Sequence, residues 1–240
     1  MFVSCKPLPN RTPRAAYAAM VTRMDRDIGR MVALIHELGL DDNTIFVFTS
    51  DNGPLYDKLG GTDEEFFNSA GGFRGRKGSF YEGGFREPCI VRWDGHIAPG
   101  TTSDRVTGFE DWLPTFLDLI GGKSPPCDGI SFAPTLLGKE QPPRPFLYRE
   151  SPGYGGQQSV RVGDWKGIRQ HVMPRGKNAK PRMQIELYNL RDDPHEAKDV
   201  AAEHPDIVAK LATIMREQHE PSTLFPMPAL DEDKKQAAAH

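Results

Sequence analysis

The sequence predicts an α/β protein, and three features carry that prediction. A long amphipathic helix runs straight into a short apolar strand; a second apolar strand and helix follow. Beyond a proline-rich stretch, four short strands lead to one more helix.

Pro7, Pro9 and Pro13 make residues 6–13 an extended lead-in. Thr12 then suits the N-cap of a helix, with Pro13 at its first position. Tyr17, Met20, Val21, Met24, Ile28, Met31, Ile35 and Leu38 recur every three or four residues, which predicts one core-facing stripe. Gly39 falls where a helix ends in the left-handed region. After the polar turn Asp41-Asp42-Asn43, the run Thr44–Thr49 is β-branched and aromatic without polar alternation, as a strand buried on both faces requires. Residues 53–84 lose periodicity and gain glycine and charge, which predicts a long functional loop.

Cys89–Trp93 reads as a second buried strand. Phe109, Trp112, Leu113, Phe116, Leu117 and Ile120 space a helix that Gly121-Gly122 ends. Pro142, Pro143 and Pro145 mark a boundary, so 1–142 is read as one domain and 143–222 as a smaller one. The second contains strand candidates at Phe146–Arg149, Ser159–Val162, Trp165–Arg169 and Glu186–Asn189. A helix from Pro205 to His219, with Ile207, Val208, Leu211, Ile214 and Met215 on one face, is expected to cover them. Residues 223–240 read as a tail, charged and alanine-rich from Asp231 to His240, where it is expected to fray.

The bulk numbers narrow the function classes. A net charge of -3 gives no basic footprint for nucleic acid, and no apolar run approaches the roughly 18 residues of a membrane span. Met1–Pro7 shows no charged segment leading into an apolar one, so no signal peptide is expected from these residues. Cys5, Cys89 and Cys127 match neither a disulfide framework nor a zinc spacing. The seven histidines likewise lack ligand or acid–base spacing; His36 reads as a helix surface residue and His171 as part of a solvated loop.

Two segments carry chemistry. Asp51 and Asn52 stand just after a predicted strand, at the carboxyl edge where an open α/β sheet binds ligands. Together they offer two hard oxygens, suited to calcium or magnesium rather than zinc. Asp-Asn-Gly is equally a good turn sequence, and that reading stays open on these residues alone. In Gly75–Pro88, glycines on both sides let the backbone approach closely while Lys77 presents a compact cation to an oxyanion. Here too a solvated basic loop is the alternative.

The order of motifs adds a resemblance. Met24-Asp25 with Ile28-Gly29, Phe48–Gly53, Gly75-Arg76-Lys77-Gly78 with Tyr81–Arg86, and Asp111–Thr115 follow one another. Asp128–Ser131, Pro134–Gly138, Glu186–Leu190 and Asp193-Pro194 come next. From about Ala15 to Met215 the chain resembles the C-terminal half of a type I, formylglycine-dependent sulfatase of the arylsulfatase and N-acetylgalactosamine-6-sulfatase kind.

That resemblance implies the C-terminal part of an alkaline-phosphatase-like three-layer sheet, followed by a small antiparallel sheet with one packed helix. It implies calcium (Ca2+), ahead of magnesium, on Asp51 and Asn52, and sulfate on Lys77. On their own chemistry, Glu82 and Arg86 are expected to pin the loop through an ion pair or backbone hydrogen bonds. The expected partner is a sulfate ester, including a sulfated polysaccharide, with no nucleic acid and no membrane. The family works in the periplasm, in lysosomes or outside the cell.

The family's nucleophile, a formylglycine made within a C/S-x-P-x-R segment, has only a partial match at Cys5–Pro9. That stretch lacks the arginine and lies too close to Asp51, so Cys5 is not expected to serve. The paired aspartates and upstream histidines of the family have no counterpart either, and Glu87 stands where many relatives have valine. The expectation is therefore a fragment of a sulfuric ester hydrolase that does not turn over alone. The rival readings are a phosphomonoester or phosphonate hydrolase of the same superfamily, or a non-catalytic module binding sulfated glycans.

Overall fold

The computed structural model describes residues 11–55, 58–174, 176 and 178–238; Cys5 and residues 6–10 of the lead-in lie outside them. The chain order opens with α1 (Pro13–Glu37), β1 (Phe46–Thr49), the short α2 (Glu64–Phe67) and α3 (Glu82–Phe85), then β2 (Cys89–Arg92). Next come α4 (Trp112–Leu119), α5 (Ala133–Leu136), β3 (Leu147–Ser151), β4 (Gln157–Val162), β5 (Trp165–Gln170) and β6 (Glu186–Asn189). The chain ends in α6 (Pro205–Gln218) and α7 (Pro228–Ala238).

Strand pairing divides these into two sheets. β1 and β2 pair antiparallel from Phe46 opposite Arg92 to Thr49 opposite Cys89. β3 to β6 form an antiparallel meander in simple sequence order. No helix among the described residues is long and apolar enough to cross a membrane.

The second sheet holds the best-packed core. Val160, Ile185, Leu187, Leu211 and Met215 are fully or almost fully buried together. Leu211 and Met215 come from α6, so the apolar stripe read from the sequence does face the sheet, and Ile207, Val208 and Ile214 pack at its margin. Gly167 makes the contact possible: a Cβ there would stand 3.0 Å from both Ile185 Cγ2 and Leu211 Cδ1.

The first part of the chain departs from expectation. α1 starts at Pro13 and ends before Gly39 at φ +65°, yet none of its residues is buried. Met20, at the centre of the predicted stripe, is 67% exposed. β1 is half-buried throughout and β2 mostly exposed, with Ile90 at 62%, so neither is the doubly covered strand the apolar runs predict. The physical reason is the sheet itself. Two strands with no further strand beside them among the described residues cannot be layered on both faces. Phe109, Leu113, Phe116 and Ile120 are exposed in the same way.

Where α4 is tied down, polar groups do it. The Asp111 carboxylate accepts from the Gly108 and Ile130 backbone N–H groups at 2.8 and 2.7 Å and from Arg144 at 2.6 Å. Gly129 has to be glycine beside this network, because a Cβ there would lie 2.0 Å from the Glu110 carbonyl oxygen.

The predicted frayed tail is instead the helix α7. Met227 and Leu230 bury against Val172, giving the segment the apolar anchor that frayed ends lack. His219 completes the joint. It is buried, with Nδ1 2.7 Å from Glu150 Oε2 and Nε2 2.9 Å from Asp231 Oδ1, although its sequence context marks it as nothing special. Arg169 reaches Asp233 of α7 at 2.9 Å from the underlying strand.

The α6 contact gives a direct test. Leu211→Ala should lower unfolding free energy by roughly 2–5 kcal/mol in a urea titration, because a side chain without exposed surface leaves a cavity the rigid sheet cannot close. Met20→Ala, on the exposed α1 face, should change it by less than about 0.5 kcal/mol.

Candidate metal and anion site

Ser50, Asp51, Asn52 and Gly53 leave the end of β1 and meet the glycine-rich loop through backbone alone. Gly53 N–H donates to the Gly84 carbonyl at 3.1 Å, and Lys77 N–H donates to the Pro54 carbonyl at 3.0 Å. No side chain fits between the two chains: a Cβ on Gly53 would stand 2.0 Å from Gly83 O, and one on Gly84 2.0 Å from Ser79 O. The two segments singled out in the sequence are thereby held side by side.

Lys77 occupies the second position of a turn that Ser79 N–H closes onto Arg76 O at 2.8 Å. Gly78 takes the third position with φ +85°, a conformation costly for any residue with a Cβ. The Lys77 side chain is exposed and makes no ion pair or hydrogen bond among the described residues, whereas its neighbour Arg76 is committed to Glu64 at 2.5 Å. A bare ammonium on a pinned turn is equipped to meet an oxyanion. It opens onto a cleft of about 570 Å³ whose walls include Tyr154, Gln157 and Gln170 from the second sheet.

Asn52 donates its amide N–H to Gly53 O at 3.0 Å, which leaves its side-chain oxygen available to a cation. Asp51 is exposed, and close to it Glu87 has a buried oxygen, Oε1, without a hydrogen-bond partner. Burial first, and then the charge of Asp51, push the Glu87 carboxyl above its ordinary range. This concentration of hard oxygens with an unmet buried charge fits a cation such as calcium in kind. In number it falls short, since no group of three or more His, Cys, Asp or Glu positioned to hold a metal occurs among the described residues.

Beneath the loop lies a buried charge cluster. Lys166 of β5 places Nζ 2.7 Å from Glu82 Oε1 in a hydrogen bond and 3.0 Å from Glu196 Oε1 as an electrostatic contact. Glu196 Oε2 also accepts the Glu82 backbone N–H at 2.6 Å. Burial raises the Glu196 pKa, with Lys166 pulling the other way. The expected Glu82–Arg86 pair exists at 3.8 Å, with Arg161 at the same distance, so Arg86 is a secondary partner and Lys166 the principal one.

A second set of anchors stands beside it. Arg74 donates to the Tyr188 hydroxyl and the Glu196 carbonyl, both at 2.9 Å, while its guanidinium covers the Tyr81 ring at 3.9 Å. Tyr81 and Tyr188 both donate to Glu186, at 2.5 and 2.8 Å. Gln157 spans the gap, its Oε1 accepting from Phe80 N at 3.1 Å and its Nε2 donating to Gly78 O at 2.7 Å.

The sequence singles out Asp51, Asn52, Lys77 and Glu82, and the loop 153–156 that carries Tyr154, but not Lys166, Glu196 or Gln157. One signal was available: Lys166 and Arg169 fall among Trp165, Gly167 and Ile168 in a predicted strand, where a buried charge needs a partner.

Known proteins resemble the chain over most of its length. The family model described as "Sulfatase" matches residues 4–122, and that described as "N-sulphoglucosamine sulphohydrolase, C-terminal" matches residues 73–221. Arylsulfatase A of Homo sapiens is 36% identical over 165 residues, covering 65% of this chain and 31% of that protein. N-acetylgalactosamine-6-O-sulfatase of Bacteroides thetaiotaomicron is 29% identical over 217 residues, covering 82% of this chain and 40% of that one. The chain thus spans less than half the length of these relatives.

Among solved structures, BT4656 in complex with its substrate D-glucosamine-2-N,6-O-disulfate superposes with a TM-score of 0.66 at 26% identity. It covers 92% of this chain and 40% of that one. Matches of this kind bear out the α/β, alkaline-phosphatase-like fold class for the part of the architecture present here.

The cluster predicts its own mutational signature. Lys166→Ala leaves two buried carboxylates facing each other and should cost roughly 3–5 kcal/mol in a denaturant titration. Glu196→Gln should cost less and change the pH response. With its folded pKa raised, Glu196 contributes most to stability when protonated, and that contribution is lost as pH rises from the ordinary carboxylate range through the raised value. The Gln variant should lack that part of the slope in melts taken from pH 4 to pH 8.

Proposed function

We infer the function from one premise: the chain belongs to the sulfatase family. From it we propose that the chain supplies the sulfate-binding part and half of the metal site of a calcium-dependent sulfuric ester hydrolase. The substrate we propose is a sulfated saccharide.

One observation carries the reading. The turn bearing the unpaired Lys77 is hydrogen-bonded directly to the strand-end segment bearing Asp51 and Asn52, so a cation and an anion would be bound as neighbours. The Lys77 ammonium would hold a sulfate oxygen and offset charge that builds on it as the ester bond breaks. Asp51 and Asn52 would hold the calcium, and the excess negative charge at Glu87 and Asp51 favours its arrival. Calcium, when bound, supplies Lewis-acid polarisation of the sulfate. None of the described residues is assigned the nucleophile. The saccharide is supported by a cleft that sets Tyr154 beside Lys77, Gln157 and Gln170, and by relatives whose names specify sulfated amino sugars.

Calorimetric titration tests both halves. The chain should bind calcium, and Asp51→Ala should weaken that binding by roughly 10- to 100-fold. It should also bind N-acetylgalactosamine 6-sulfate, and Lys77→Ala should weaken this by roughly tenfold or more, the worth of one charge-assisted hydrogen bond. Sulfate binding that Lys77→Ala leaves intact would overturn the assignment. With 4-nitrophenyl sulfate, the chain alone should show no turnover.

A further inference from the structure

Of the aromatic rings that line the cleft beside Lys77, Tyr154 alone has no ring or cation contact among the described residues. Phe73 is taken by the Arg86 guanidinium at 4.7 Å and by His195 stacking at 5.4 Å, and Tyr81 is covered by Arg74. Tyr154 is 56% exposed. It nevertheless stands at a fixed place: a Cβ on Gly78 would lie 2.2 Å from Tyr154 Cζ and 2.7 Å from its hydroxyl. The ring therefore leans on the residue next to Lys77, with nothing else between them.

Its backbone is held there against local preference. Tyr154 has φ +53°, a left-handed conformation that costs a non-glycine residue of order 1 kcal/mol or more. The loop enforces it through three backbone hydrogen bonds. Gly156 N–H donates to Gly153 O at 2.9 Å, Met173 N–H to Gly155 O at 2.7 Å, and Val172 N–H to Gly156 O at 3.1 Å. On the same wall, Gln170 carries a side-chain amide without a hydrogen bond among the described residues, unlike Gln157, both ends of whose amide are engaged. A preorganised ring, an unengaged amide and an unpaired ammonium thus line one cleft.

We propose that Tyr154 is a specificity-determining residue, the platform on which the sugar ring of a sulfated saccharide stacks while its sulfate lies against Lys77. Gln170 meets the ring hydroxyls. This rests on the sulfate-binding reading of Lys77. A sugar is the fitting ligand because it presents an apolar C–H face to one ring and hydroxyls to everything else. A flat aryl sulfate would gain from a second apolar wall, and the other two aromatic rings of the cleft are already covered.

Titrations of the full chain with N-acetylgalactosamine 6-sulfate, 4-nitrophenyl sulfate and inorganic sulfate decide it. Tyr154→Ala should weaken the saccharide by roughly threefold to tenfold and leave inorganic sulfate unchanged, while Tyr154→Phe keeps saccharide affinity within about twofold. Thermal melts confirm that the variants fold, and Tyr154→Gly, which suits the left-handed backbone, reproduces the Ala result if the ring itself is what matters. Unchanged saccharide affinity in both Ala and Gly variants overturns the proposal, as does a larger loss for 4-nitrophenyl sulfate than for the sugar. If Tyr154→Ala is neutral while Lys77→Ala abolishes binding, only the platform fails. If Lys77→Ala changes nothing, the sulfate site beneath it fails as well.

Discussion

Lys166 sits between Glu82 and Glu196, 3% exposed itself and with Glu196 fully buried, and the placement of the candidate site follows from it. Buried charges of this kind contribute little net stability, because the water each group gives up offsets most of the attraction. Their effect is to leave one arrangement tolerable. Any register of the glycine-rich loop other than the observed one would strand a carboxylate or an ammonium away from water. Phe80 anchors the loop in an apolar cluster with Ile168, Tyr188 and Leu190, and the buried charges add a choice of register, with Gln157 and Arg74 holding the flanks. Lys77 is then exposed on a turn whose base cannot slide.

The same arrangement explains why this part of the chain contains so many glycines. Gly53, Gly83 and Gly84 bring three stretches of backbone into contact at distances a methyl group would occupy. Close approach of main chain to main chain allows Asp51 and Asn52 to lie beside the Lys77 turn without intervening side chains. An acidic edge and a cation are thereby kept near each other yet unpaired, an electrostatic state that a bound anion and a bound metal would each relieve.

Much of this was legible in the residues. Strand and helix spans in the second sheet follow from alternation and a clean α6 stripe, and Asp51, Asn52 and Lys77 stand out because strand end, glycine and charge coincide. What could not be read were partners supplied from a distance. Lys166 and Glu196 lie 84 and 114 residues from Glu82, and nothing local to either marks the contact. His219 and α7 were hidden for the same reason, since Glu150 and Asp231 give the histidine its meaning only after folding. The opposite error concerns α1, β1 and β2. Their apolar patterns correctly give element type, but a pattern states only that a face is to be covered. Among the described residues that cover is only partial, with β1 half-buried and Met20, Met24 and Met31 of α1 exposed.

The long separations have a consequence in time. A ribosome releases the Lys77 loop well before it has made Gln157, Lys166 or Glu196, so during synthesis the loop exists without any of its anchors. Glycine-rich and charged, with only isolated aromatic residues such as Phe73 and Phe80, it has no periodic apolar face to collapse on its own and can wait in water at little cost. The second sheet, by contrast, is a meander of near neighbours and can form as soon as it emerges. The order of birth is thus the reverse of the order of assembly: the segment made first is shaped last, on a surface that its own later sequence provides.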